Sequence, residues 1–268
     1  MKRPFFTLGP AIRHLARIAT PELCPEPAGP PLKTSEWAQK LLNFTPSAKQ
    51  AEVLDIDAKY LILCCNRQWG KTTTIALKAL HRALTIPDQT IVIISRTKIQ
   101  AGILIDRACN FAVRLGHKIR RALGHQFSLK LDNGSQIFAV AHTTDTSVGN
   151  TANVLIVDEA ALVKDQVFFS VSPAVARTHG AIWLMSTPRR PAGFFYNFWK
   201  SGDPNWHKVF STVADCPDID PEFLAMQKRI DEIKYGQDFL CEFLQPANRL
   251  FTVEMIDNMR KPRVLPPQ

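Results

Sequence analysis

Apolar positions divide the chain into short apolar runs that alternate with stretches of helical spacing. The runs predict strands at 60–65, 90–95, 153–158 and 181–186, with a further strand at 207–213. The helical stretches predict helices over about 35–43, 46–55, 71–84 and 97–115, and Asp220-Pro221 predicts another that runs to about 235. Alternation of this kind is typical of an α/β fold, in which a mainly parallel central sheet carries helices on both faces.

Turn residues and prolines set the limits of this fold. Residues 127–140 hold two alternating runs separated by Asn133-Gly134, which predicts a β-hairpin. Prolines at positions 21, 25, 27, 30 and 31 predict a linker that cannot be helical. We therefore expect an N-terminal arm and linker at 1–34, one domain at 35–250 and a C-terminal tail at 251–268.

The loop after the first predicted strand ends in Gly70-Lys71-Thr72 and leads into a helix. This order is typical of a phosphate-binding loop, because N–H groups at a helix N-terminus attract anions. Gly70 would let the backbone approach phosphates, Lys71 would reach β/γ oxygens, and the Thr72 hydroxyl could ligate Mg²⁺. The common pattern has glycine where this chain has Cys65, and the alternative is a solvated turn that caps an ordinary helix.

Polar residues follow two later apolar strands. Asp158 and Glu159 end the run 153–157, and carboxylates at the tip of a buried strand need a metal, a partner or solvent. In a nucleotide hydrolase, Asp158 would hold the Mg²⁺ shell and Glu159 would orient or deprotonate water; the alternative is that either residue caps the following turn. Ser186 and Thr187 end another strand, where they could sense the γ-phosphate or form a plain turn before Pro188.

In this order, these motifs resemble the ATPase domain of the large terminase subunit of tailed bacteriophages. That family has an arginine-bearing, glycine-poor phosphate loop (Walker A), a Walker B strand that runs straight into the catalytic Glu, and a Ser/Thr-rich coupling motif. The segment around Gln50 is similar to the family's adenine-reading glutamine, and residues 236–243 resemble the stretch that closes the domain. The resemblance covers roughly residues 40–250.

The resemblance implies a P-loop NTPase fold of the RecA/ASCE-like kind, with ATP and Mg²⁺ as the bound groups. It implies catalytic roles for Glu159, Lys71 and Arg67, a Mg²⁺ site at Thr72 and Asp158, and a coupling role for Ser186 and Thr187. The ATP-binding residues it implies are Gln50, Cys65, Asn66, Arg67, Gln68, Trp69, Gly70, Lys71, Thr72 and Thr73.

Two residues of the loop have alternatives. Arg67 would contact the γ-phosphate of its own subunit or of a neighbour in a ring, or it would be a surface arginine paired with a nearby carboxylate. We interpret Trp69 as packing the loop rather than stacking on adenine.

Composition adds a basic character and candidate DNA contacts. The 268 residues are 46% hydrophobic, enough for one substantial core, with a net charge of +9 that favours polyanionic partners. The six cysteines show no metal-ligand spacing, which favours free thiols. The DNA contacts we expect are Arg120, Arg121, Arg189 and Arg190, although a charged run can also be a solvated helix face.

The predicted function is that of an ATP-hydrolysing motor subunit that packages viral double-stranded DNA. The resemblance implies sister subunits in a ring, a portal protein and a small terminase subunit as partners, in the cytoplasm of the bacterial host. We expect no secretion signal, no membrane span and no nuclease, since only residues 252–268 follow Phe251. The alternatives are a superfamily-2-like helicase or repair ATPase, and a non-motor ATP-binding regulator.

Overall fold

The computed structural model describes residues 32–120, 127–140 and 151–244. The strands are β1 (Tyr60–Cys65), β2 (Thr90–Ile94), β3 (Ser128–Lys130), β4 (Gln136–Ala139), β5 (Val154–Asp158), β6 (Ala181–Ser186) and β7 (Trp206–Ser211). The helices are α1 (Thr34–Leu42), α2 (Ala48–Asp55), α3 (Lys71–Thr85), α4 (Lys98–Arg114), α5 (Asp165–Val171), α6 (Phe194–Lys200), α7 (Pro221–Ile230) and α8 (Glu232–Phe239). Short 3₁₀ helices lie at Ala160–Leu162, Ser172–Val175 and Val213–Asp215.

Some predicted segments fall outside these ranges. Nearly all of the arm and linker, the tail from 251 onward and Arg121 lie outside the described residues. Within the described ranges, no helix is both long and apolar enough to cross a membrane.

The strands form one sheet in the order β3-β4-β2-β5-β6-β1-β7. Every neighbouring pair is parallel except β3 and β4, which run antiparallel. Cys64 of β1 is opposite Ser186 of β6, and Asp158 of β5 is opposite Met185 of β6. Because the strands are parallel, the loop after β1, the acidic pair at the end of β5 and the hydroxyl residues at the end of β6 meet at one edge of the sheet. The predicted α/β class with a mainly parallel sheet is confirmed.

Successive residues of the central strands pack on opposite faces of the sheet. Leu61 and Leu63 of β1 pack with residues of α3 and α4, while Ile62 and Cys64 pack on the other face with residues of α5 and α6. All four side chains are fully buried. This double burial explains why the strands are continuous apolar runs, and it confirms that helices cover both faces of the sheet.

The helix predicted from Asp220 to about 235 is wrong as a single element. It divides at Asp231, whose backbone is extended (φ −156°, ψ 95°) and whose carboxylate accepts a hydrogen bond from the N–H of Lys234 at 2.8 Å. An aspartate that caps a new helix favours this break, because it satisfies an N–H that has no partner within the helix. The structure also contains α5 and α6, two seven-residue helices that were not predicted.

The predicted hairpin is confirmed by the antiparallel pairing of β3 with β4. Its loop contains Gly134 at φ +86°, a left-handed conformation that favours glycine. Asn133 fixes this loop by donating to the carbonyl of Ala83 at 2.8 Å. The turn favours glycine for its dihedral angle, and a Cβ at Gly134, which would lie 2.1 Å from Oδ1 of Asp88, would also have to displace that exposed side chain.

We expect Gly134→Ala to lower the free energy of unfolding by about 1–3 kcal/mol, because left-handed strain adds to the collision with Asp88. The matched control is Gly116→Ala, where φ is +81° but no atom lies within 4 Å of the added Cβ. This control should show the backbone strain alone. Equilibrium unfolding in urea measures both variants, and equal losses of stability would contradict a role for the collision.

Candidate functional site

The loop between β1 and α3 presents a bare helix N-terminus. Gly70 caps α3 at φ +92°, with no side-chain hydrogen bond to the first turn and no acidic residue in that turn. Gln68, at φ +65°, adds a second left-handed residue to the loop. Free N–H groups at a helix N-terminus, with their partial positive charge, are suited to bind an anion such as phosphate.

Cys65 shows why this loop tolerates a residue other than glycine at that position. Its side chain is fully buried in the core, where burial raises the pKa of its thiol, while its carbonyl oxygen faces Lys71. The side chain therefore lies away from the concave side of the loop. Among the described residues, Cys64, Cys216 and Cys241 are free thiols as well.

The Lys71 ammonium is buried and uses all three of its donors within the protein. It donates to the carbonyl oxygens of Cys65 at 3.0 Å and Asn66 at 2.8 Å, and to Oγ1 of Thr187 at 3.1 Å. Thr187 in turn donates its hydroxyl to the carbonyl of Cys65 at 3.1 Å. The phosphate loop and the end of β6 are thus joined through one cation.

Ser186 joins the end of β6 to the turn after the acidic strand. Its Oγ accepts a hydrogen bond from the N–H of Ala161 at 3.2 Å and donates to the carbonyl of Thr187 at 2.8 Å. Ser186 and Thr187 are both almost fully buried. Of the two residues predicted to form the coupling motif, Ser186 therefore contacts the turn after the acidic pair, and Thr187 contacts the phosphate loop.

The acidic pair is held under electrostatic and backbone strain. Burial raises the pKa of the Asp158 carboxyl from 3.8 to about 7, and the adjacent Glu159 carboxylate acts in the same direction, against the N–H of Glu159 and the Lys71 ammonium. Glu159 itself is left-handed at φ +49°, which costs about 1–2 kcal/mol in a non-glycine residue. Its Oε2 is buried and has no hydrogen-bond partner in the described part of the chain. Glu159 makes no side-chain cap of the following turn, so the capping alternative does not explain it.

These groups fit a divalent cation and a polyphosphate. A cation favours ionised carboxylates, so it would lower the raised pKa of Asp158. It would also give the acidic pair a partner of opposite charge. Asp158 and the half-buried Thr72 are the residues that would hold Mg²⁺, since hard cations prefer oxygen ligands.

Gln50 contacts the phosphate loop directly. Its Nε2 donates to the carbonyl of Trp69 at 2.7 Å, while its Oε1 accepts from the N–H of Ser47 at 2.9 Å in a capping box at the start of α2. A Cβ at Gly70 would lie 2.8 Å from Nε2 of Gln50, so a larger residue at position 70 would have to displace the Gln50 amide. The adenine-reading role of Gln50 remains a prediction. Trp69 is 3% exposed and belongs to the core beneath the loop, in line with the packing interpretation.

Asp238 is a site residue that sequence reasoning did not single out. Its buried carboxylate accepts from Nη1 of Arg67 at 3.3 Å and from Nη1 of Arg189 at 3.2 Å, and its carbonyl accepts from the N–H of Arg67 at 2.8 Å. Gln237 accepts from the same Arg189 nitrogen at 3.0 Å. The sequence could have indicated Asp238 through the resemblance of residues 236–243 to the segment that closes the domain. Arg67 therefore has the carboxylate partner that its alternative interpretation describes, and its contact with phosphate remains a prediction.

The residues predicted to contact DNA have different surroundings. Arg120 is exposed and lies 3.5 Å from the exposed carboxylate of Asp132, Arg190 is exposed, and Arg189 is engaged with Gln237 and Asp238. Contact between these arginines and DNA remains a prediction.

Comparison with known proteins gives a consistent family. The family described as "Terminase large subunit, T4likevirus-type, N-terminal" matches residues 63–258. The terminase large subunit of Thermus phage G20c is 24% identical over 259 residues, covering 82% of this chain and 53% of that protein. The terminase large subunit of Escherichia phage T5 is 23% identical over 232 residues, covering 81% of this chain and 52% of that protein. The chain thus spans about half the length of these curated relatives.

Solved structures give the same fold. The large terminase ATPase domain of Thermus phage P74-26 has a TM-score of 0.66 at 21% identity, covering 80% of this chain and 100% of that chain. The large terminase of bacteriophage HK97 has a TM-score of 0.65 at 17% identity, covering 78% of this chain and 54% of that chain. A large terminase from a thermophilic bacteriophage, solved in complex with ADP, has a TM-score of 0.65 at 17% identity, covering 74% of this chain and 53% of that chain. The predicted P-loop fold of the ASCE kind is confirmed.

We expect Asp158→Asn to stabilise the folded protein at about pH 8 by up to about 4 kcal/mol, because it removes a carboxylate that is ionised in a buried site. The folded-state pKa of about 7 lies above the unfolded value of 3.8, so the folded protein binds the extra proton between these values. The stability of the parent therefore falls as the pH rises through this window, and the advantage of the variant should disappear towards about pH 4.

Urea unfolding at a series of pH values measures this difference. The exposed Asp132→Asn is the matched control, which should change the free energy of unfolding by less than about 1 kcal/mol at every pH. A stabilisation by Asp158→Asn that does not vary with pH would show that the Asp158 carboxyl is not the group responsible.

Proposed function

The chain belongs to the family of N-terminal parts of terminase large subunits of the T4-like virus type, and we propose that it hydrolyses Mg·ATP to drive the packaging of viral double-stranded DNA. The observation that carries this proposal is the Lys71 ammonium, which bonds the phosphate loop and the end of β6 at the same edge where Asp158 and Glu159 lie. Relatives support it as well: the large terminase of the thermophilic bacteriophage has been solved with ADP and with ATP-γ-S.

Each residue of the site has a role in hydrolysis. The N-terminus of α3 and Lys71 bind the phosphates, and Thr72 and Asp158 hold Mg²⁺, which supplies positive charge to the phosphate oxygens when bound. Glu159 acts as the general base, since its unpartnered Oε2 can accept a hydrogen bond from water and then its proton. Arg67 stabilises charge on the transferred phosphoryl group, in its own subunit or in a neighbour.

The coupling role of β6 follows from the partners of Lys71. To reach a phosphate oxygen, the ammonium must give up at least one of its three acceptors, and Thr187 is one of these. The Ser186 hydroxyl bonds both the carbonyl of Thr187 and the N–H of Ala161. A movement of Thr187 would therefore shift Ser186 and with it the turn at Ala161. Phosphate binding would thus alter the contacts of β6, which supports the coupling role of both hydroxyl residues.

The partners and the compartment belong to the same proposal. Double-stranded DNA is the substrate that is moved, and the protein acts with sister subunits in a ring, a portal protein and a small terminase subunit in the cytoplasm of the bacterial host. Support comes from the relatives, which are terminase large subunits of phages, and from the net charge of +9. Arg120, Arg121, Arg189 and Arg190 are the DNA contacts of this proposal.

We expect Glu159→Gln to lower steady-state hydrolysis of Mg·ATP by about 100-fold or more, because it removes the general base while keeping the shape of the side chain. Linear duplex DNA should stimulate the parent protein and leave the variant inactive. Glu36→Gln, an exposed position in α1, is the matched control and should hydrolyse ATP like the parent.

Two outcomes would count against the proposal. Turnover by Glu159→Gln at the parental rate would remove Glu159 from the mechanism. A parent protein that binds ATP without turnover, with or without DNA, would favour the non-motor ATP-binding regulator instead.

A further inference from the structure

Arg107 lies on α4, outside every motif of the sequence analysis, and contacts the first turn of α3. Its Nη1 donates a hydrogen bond to Oγ1 of Thr73. The contact arises because α4 packs along α3 through its buried Leu104, Ile105 and Ala108, which leaves the exposed Arg107 beside the start of that helix.

The charge of Arg107 is not balanced within the described part of the chain. No carboxylate there lies within ion-pair distance of its guanidinium, and one of its five donors is used on Thr73. A cation beside a helix N-terminus is unfavourable, because the N–H groups there already carry a partial positive charge. Lys71 adds a second cation to the same turn, and that turn contains no acidic residue. An arrangement of this kind becomes favourable once an anion binds.

The hydrogen bond also fixes what the Thr73 hydroxyl can do. A hydroxyl has one proton to donate and oxygen lone pairs that accept. Because the Thr73 oxygen accepts from Arg107, its single proton is left for another acceptor. The N–H groups of the same turn attract anions, so a phosphate oxygen is the acceptor that this turn would bring to the hydroxyl.

We propose that Arg107 is a positioning residue for the nucleotide, which orients the Thr73 hydroxyl to donate to the phosphates of a nucleoside polyphosphate and adds positive charge at the rim of the site. This inference rests on the proposed function, since it needs a nucleotide in the phosphate loop. It extends the site from β1 and α3 to α4, which none of the sequence motifs includes.

The test is the binding of ATP-γ-S and of ADP, each with Mg²⁺, by isothermal titration calorimetry. Arg107→Ala should weaken the binding of both by about tenfold, as expected for the loss of a charge-assisted interaction. Arg107→Lys keeps the positive charge and should restore part of the affinity. Thr73→Val removes the hydroxyl with little change in shape, and the double variant with Arg107→Ala should bind no more weakly than the weaker of the two single variants.

The matched control is Arg82→Ala, which removes an arginine hydrogen bond to Gln89 at the opposite end of α3. It should bind both nucleotides like the parent. Thermal unfolding without nucleotide, measured for each variant, separates lost affinity from lost folding, because a merely structural role would lower stability without rescue of binding by lysine.

Three results would overturn the inference. If the parent binds nucleotide and Arg107→Ala binds it equally well, Arg107 has no role in the site, and the proposed function is unaffected. If the losses from Arg107→Ala and Thr73→Val add up in the double variant, the two residues do not act through one hydrogen bond. If the parent itself binds neither nucleotide, the proposed function fails and this inference fails with it.

Discussion

The site is organised around one buried cation. Lys71 is 9% exposed, and its three hydrogen bonds go to neutral oxygens of the phosphate loop and of Thr187. A buried charge is costly unless its donors are satisfied, and here they are satisfied by segments that lie far apart in the sequence. The position of β6 next to β1 makes this possible, since their carboxyl ends lie side by side. The ammonium therefore fixes both the conformation of the loop and the end of the strand that is predicted to report on it.

The carboxylates of the site, unlike the Lys71 ammonium, lie in unfavourable surroundings. Asp158 is buried beside Glu159, and Glu159 adopts a left-handed backbone while its Oε2 has no partner among the residues that the structure describes. Features of this kind persist only where the surrounding structure enforces them, and they are common at functional sites. Positive charge brought to this edge of the sheet would stabilise both carboxylates. The unfavourable negative charge of the acidic pair and the positive charge around α3 thus lie at the same site. A bound polyphosphate and its cation would neutralise both.

The parts of the fold that the sequence predicted are those governed by local physics. The core strands are continuous apolar runs because both faces of the sheet are covered, and Asn133-Gly134 specifies its turn through the left-handed conformation of Gly134. Gly70-Lys71-Thr72 likewise begins α3 at the predicted residue. The break at Asp231 was missed because its extended backbone interrupts a stretch whose spacing stays helical on both sides. The short helices α5 and α6 were missed because seven residues give too little periodicity to recognise.

Contacts between distant segments could not be predicted in the same way. Arg107 and Thr73 meet because α4 packs on α3, and Arg67 meets Asp238 because α8 returns to the phosphate loop. No spacing within a single stretch of sequence encodes either contact. Gln50 is the intermediate case: its capping box with Ser47 is a local pattern, whereas its bond to the carbonyl of Trp69 depends on where α2 lies.

The two arginines on Asp238 differ in how firmly they are held, and this bears on the role of Arg67. Arg189 has a side chain that is 26% exposed and holds both Gln237 and Asp238, so its guanidinium is fixed to α8. Arg67 has a side chain that is 58% exposed and reaches only one oxygen of Asp238. Because the Arg67 guanidinium is largely exposed, solvent weakens its attraction to Asp238, and the charge of a phosphate close to Arg67 would compete for it. If Arg67 moved away, Arg189 would still neutralise the buried carboxylate. The pairing with Asp238 is therefore compatible with the predicted contact of Arg67 with the γ-phosphate.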